Sequence, residues 1–214
     1  MQTKQRVIEL IQQTFCETEH PDDAFLQGSH EGCEPGESVA PFMGVTDGSQ
    51  LDPTILDASY NALSFFSEGG FRYFLPAYLI ADLEERLQTA DPVFHLTNGF
   101  FDKVLTMPAG PRVYEKTIGK SAFVNPLRYG AMTWHDHARC QLSVFTREEA
   151  GAVVAYLEYK RDADPHGLNA EDINAALDSF WRDRAANGPT HHIVRQALKE
   201  EAEYLRDIGG GKSG

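Results

Sequence analysis

Apolar residues recur at three- and four-residue steps along most of this chain, a spacing that predicts helices. Val7, Ile8, Leu10, Ile11 and Phe15 make one such stripe within residues 4–18. Pro21, Gly28, Gly32, Pro35 and Gly36 mark residues 19–36 as loop. A second helix is predicted over 52–66. Asp52 is suited to cap it, Pro53 suits its first turn, and Leu51 with Leu56 form a hydrophobic staple.

The most distinctive segment is Phe71-Arg72-Tyr73-Phe74-Leu75-Pro76-Ala77-Tyr78-Leu79-Ile80. It is apolar nearly all round, so a helix here is buried on most sides. Pro76 predicts a kink, or a break into two helices, at Leu75. A short helix with Val93, Phe94 and Leu96 starts at Asp91-Pro92.

Prolines and glycines interrupt residues 106–135, where short strands are expected at 111–115 and 121–124. Thr146 and Glu149 form a capping-box pair opening a helix with Ala150, Val153, Val154 and Leu157. Asn169 with Asp172, and Leu168 with Ile173 as staple, open another that reaches Ala186. A last helix spans 190–208. The pattern therefore predicts a mainly α protein: one compact helical domain over 1–208, with a small β-hairpin or irregular excursion at 105–135. Residues 209–214 form a flexible Gly-rich tail.

Composition adds constraints. The 214 residues suit one domain with a substantial core. The formal net charge of −13 argues against nucleic acid, whose affinity rests on cations that neutralise phosphates. No apolar run approaches the ~20 residues of a membrane span. Met1 to Phe15 is amphipathic, without the apolar run of a secretory signal. Cys16, Cys33 and Cys140 are odd in number and far apart, which does not suggest a disulfide framework and fits a reducing cytoplasm.

The block Ala62-Leu63-Ser64-Phe65-Phe66-Ser67-Glu68-Gly69-Gly70-Phe71-Arg72-Tyr73-Phe74-Leu75-Pro76-Ala77-Tyr78-Leu79 resembles the hallmark of the DUF6714 family of bacterial and eukaryotic proteins. Ile8 to Phe15 followed by Pro21 is similar to that family's opening helix. Phe145-Thr146 with Val153, Tyr156 and Leu157 is similar to a later element, and Trp181 to an aromatic near its end. The resemblance leaves out 105–140. It implies a fold unit and no chemistry.

Three clusters are candidates for chemistry. Trp134-His135-Asp136-His137-Ala138-Arg139-Cys140 offers two imidazoles and a thiol; in an extended chain His135 and His137 point the same way, and with Cys140 they could ligate zinc. The opposing reading is a polar loop. Arg72, with Tyr73 and Tyr78 nearby, could bind an anionic ligand; the opposing reading is a structural ion pair to Glu68. His191 and His192, adjacent on a helix, make a poor chelating pair. Glu84-Glu85 and Glu200-Glu201 read as solvated helix faces, and no nucleophile motif is present.

The leading expectation is a non-catalytic interaction or accessory protein that docks a protein partner and needs no cofactor. The alternatives are a metal-dependent, hydrolase-like enzyme using His135, His137 and Cys140, and a small-molecule binder around Arg72, Tyr73 and Tyr78.

Overall fold

The computed structural model describes residues 3–30, 32–48 and 51–210. It is mainly α, with two small two-stranded antiparallel sheets. The helices are α1 (Lys4–Phe15), α2 (Glu34–Val39), α3 (Pro53–Ala58), α4 (Ala62–Phe65), α5 (Glu68–Leu83) and α6 (Pro92–Thr97). After the sheets come α7 (Trp134–Gln141), α8 (Arg147–Ala163), α9 (Ala170–Ala176), α10 (Arg182–Asn187) and α11 (His191–Gly210). No helix among the described residues is long and apolar enough to cross a membrane. The expected tail lies outside the described residues from 211 onward.

Helix α5 is the centre. Phe71, Phe74, Leu75, Tyr78 and Leu79 are all buried, as their near-continuous apolarity predicts. Phe74 meets Phe42 and Phe66, with ring centroids 5.0 and 5.1 Å away. Phe71 lies 6.0 Å from Phe145, which in turn lies 5.6 Å from Trp181. The Trp181 indole donates to the Leu96 carbonyl at 2.8 Å, so this large ring is buried without an orphaned N–H. Trp181 sits on a π turn, Leu177–Trp181, that joins α9 to α10.

Pro76 does not break α5, which runs through it as one helix. The ring removes one donor, but its neighbours on both sides are packed into the core, and tertiary packing supplies most helical stability. The helix expected over 52–66 divides instead into α3 and α4, because the chain turns at Ser59–Asn61. The Ser59 carbonyl accepts from Ala62 N–H and from the buried Tyr78 hydroxyl. Asp52 caps α3 through Thr54 N–H at 2.9 Å, as predicted. Asn169 makes no side-chain cap, and Leu168 is 99 % exposed, so the staple expected before α9 does not form.

The excursion is longer on its N-terminal side than expected. Strands β1 (Asp102–Ala109) and β2 (Arg112–Gly119) pair as a hairpin, with Ala109 opposite Arg112. Gly110 takes φ +63°, the left-handed conformation a two-residue turn needs at its first central position, and Pro111 follows. Strands β3 (Phe123–Val124) and β4 (Met132–Thr133) form the second pair and lead into α7.

One ionic contact ties the core together. Arg72 on α5 donates from Nε to Glu149 Oε2 at 3.0 Å and from Nη2 to Oε1 at 2.6 Å. Its partner is therefore Glu149 rather than Glu68. The carboxylate also accepts from Thr146 N–H at 2.8 Å and from the Thr18 hydroxyl at 3.2 Å. The predicted capping box of α8 is thus complete, and its glutamate serves a second helix.

Removing one partner of a buried, hydrogen-bonded pair leaves a charge without compensation. Arg72→Ala is expected to cost about 3–5 kcal/mol, read from urea denaturation followed by circular dichroism. A loss below about 1 kcal/mol, the range of exposed pairs, would contradict the central role given to this contact.

Candidate functional site

The first turn of any helix leaves amide N–H groups without intrahelical acceptors. In α5 they are met from two directions. The Ser67 hydroxyl accepts from Gly70 N–H at 2.9 Å. Glu201, carried by α11, takes Glu68 N–H on Oε1 at 2.6 Å and Gly69 N–H on Oε2 at 2.9 Å. A carboxylate on these amides also meets the positive end of the helix dipole.

Beside this cap lies a second carboxyl, Glu68. Arg128, from the loop between β3 and β4, reaches both: its Nη1 is 2.7 Å from Glu68 Oε1 and 3.3 Å from Glu201 Oε1. Two tyrosines frame the guanidinium, with ring centroids 5.2 Å (Tyr129) and 6.0 Å (Tyr204) from its central carbon. All of these side chains line one cavity of about 520 Å³, together with His137.

Electrostatics set the cluster apart. Burial, and then the neighbouring Glu201 charge, push Glu68 up to about 8, although Arg128 pulls the other way. Burial likewise raises Glu201, opposed by the Glu68 and Gly69 amides and by Arg128. Burial of two carboxyls around one cation therefore favours retention of a proton by the pair at neutral pH. His137 is lowered by burial, and its Nδ1 is buried with no hydrogen-bond partner among the described residues. Perturbed groups converging on one cavity are the usual mark of a functional site.

The residues singled out from sequence are placed differently. His135, His137 and Cys140 lie on α7, not on extended chain. Thr133 caps that helix through Asp136 N–H, which winds the segment up. Two residues on a helix differ by about 200° in direction, so His135 and His137 diverge. His135 packs its ring against Phe100 at 5.6 Å, whereas His137 lies 5.5 Å from Trp134. Burial raises the Cys140 thiol. Among the described residues no group of three or more His, Cys, Asp or Glu is placed to hold a metal.

Arg72 is committed to Glu149, the Tyr73 hydroxyl donates to the Thr46 carbonyl at 2.6 Å, and the Tyr78 hydroxyl donates to the Ser59 carbonyl at 3.1 Å. Arg72 borders one cavity and Tyr73 another. His191 and His192 are exposed. Glu201, expected on a solvated face, is only 5 % exposed, because α11 turns it inward onto α5 while Glu200 stays in solvent.

Compared with known proteins, the chain matches no family model, no curated protein and no solved structure.

Raising a carboxyl above its unfolded value makes stability fall as pH rises. The contribution of Glu68 is fully present below about 4.5 and is lost as pH climbs to about 8. Glu68→Gln removes this titration, so its stability relative to wild type should rise steadily over that window in urea melts. A difference that stays constant with pH would remove the case for a raised Glu68.

Proposed function

We propose that this chain is a non-catalytic accessory protein that binds a small organic carboxylate in the cavity at the N-terminus of α5. One observation carries the reading: the Arg128 guanidinium, with Nη1 on two glutamates, lines the cavity between two tyrosines. A guanidinium matches a carboxylate with two parallel hydrogen bonds.

The surroundings support the same ligand. A protonated Glu68 adds a donor and no repulsive charge. His137 lines the same cavity. Tyr129, Tyr204, Leu205 and Ile208 provide an apolar wall for the body of the ligand. Because Arg128 and Glu201 offset each other, affinity depends on keeping Glu68 neutral. Binding is then proton-linked: it is favoured below about pH 8 and weakened above, where ionised Glu68 repels the anion.

Benzoate and hexanoate are suitable probes for calorimetry. Both are expected to bind at pH 6.5 and to weaken at least about tenfold at pH 9. Arg128→Gln should abolish binding at pH 6.5, while Arg139→Gln, on the exposed side of α7, should not. No heat with either probe at pH 6.5, or equal affinity at the two pH values, overturns the proposal.

A further inference from the structure

The β1–β2 hairpin stands away from the helical body. Every residue from Lys103 to Thr117 is exposed, and among the described residues no helix packs extensively along it. Its root is fixed: Asp102 accepts from Ser121, Lys120 N–H donates to the Phe101 carbonyl, and Lys103 pairs with Asp172 on α9. Beyond the root, two strands alone carry the structure, and an isolated hairpin is marginal in water.

Its two faces differ. Residues paired across the strands share a face, so Leu105 with Lys116, Met107 with Tyr114, and Ala109 with Arg112 form one surface together with Lys103 and Ile118. That surface combines exposed apolar side chains with basic ones: Met107 is 46 % and Tyr114 50 % exposed. Arg112 and Lys116 have no acidic partner among the described residues of their own chain. Exposed apolar side chains gathered on one surface mark an interaction site.

Charge indicates what covers it. Residues 102–120 hold four bases (Lys103, Arg112, Lys116, Lys120) against two acids (Asp102, Glu115), which gives +2 and leaves −15 of the chain's −13 on the remainder. The body also has a concavity of matching character. It has a volume of about 430 Å³ and combines Asp82, Glu85 and Asp164 with Leu83, Val93 and Leu168. Lys160 lines it too and pairs with Asp82, so the acidic excess rests on Asp164 and on Glu85, whose exposed contact to Lys4 is 3.6 Å. Leu168 is almost wholly exposed at its edge, an apolar side chain with nothing against it.

We infer that the hairpin docks onto this acidic, apolar concavity of a second copy of the chain, Met107 and Tyr114 against Leu168, with Arg112 and Lys116 facing Glu85 and Asp164. Two copies exchanging hairpins in this way bury the same surfaces reciprocally, as a two-fold dimer requires. The interaction is partly electrostatic and weakens with salt.

Light scattering coupled to size exclusion tests it. At about 50 mM NaCl the wild-type chain should be dimeric, moving toward monomer at about 0.5 M. The double variant Met107→Glu, Tyr114→Glu and the single variant Leu168→Arg should each be monomeric at low salt. All three side chains are exposed, so circular dichroism should report unchanged folding. A wild-type monomer at low salt, or a dimer that survives both sets of substitutions, overturns the inference.

Discussion

Arg72 and Glu149 are the contact on which the fold turns. Burying a guanidinium beside the most apolar helix is costly unless every donor it presents finds charge and geometry to match. Glu149 meets the guanidinium at Nε and Nη2, and is already fixed: it is the third residue of α8 and completes the capping box with Thr146. A side chain that would normally finish one helix end thereby orients another helix. Thr18, in the segment after α1, adds a third element to the same carboxylate. The relative positions of α5, α8 and the chain leaving α1 are set at a single point inside the core, and the aromatic contacts of Phe71, Phe145 and Trp181 pack around it.

The local half of this arrangement was legible in the sequence. Thr146 and Glu149 announce their cap three residues apart, Asp52-Pro53 announces the start of α3, and the apolar run at 71–80 announces burial. Each depends only on neighbours within a turn or two. Long-range pairings were not legible. Glu149 lies 77 residues from Arg72 in sequence, and nothing near Arg72 distinguishes it from Glu68 as a partner. The same applies to Glu201, whose neighbour Glu200 offers identical chemistry; only the way α11 lies across α5 decides which faces inward. At His135 and His137 the alternation suggested extended chain, but the Thr133 cap outweighed it and turned the two rings apart.

Two buried ionic nodes thus serve α5, and they differ in character. At Arg72 the charges balance and every acceptor is used. At Arg128 one cation faces two carboxyls, both raised by burial, on the wall of a cavity. The first node has the properties of a structural joint; the second has those of a place where something else can be held. The loop that supplies Arg128 belongs to the same excursion as the hairpin, so residues 102–133 contribute both to the cavity and to the projecting surface.

The cap on α5 also constrains the order in which the molecule matures. Residues 68 and 69 leave the ribosome long before residue 201, so through most of synthesis the amides that Glu201 will accept have only water as partner. The apolar segment that follows them meanwhile seeks burial. The end of the most apolar helix is therefore one of the last parts of the fold that can be completed, since its cap is carried by α11.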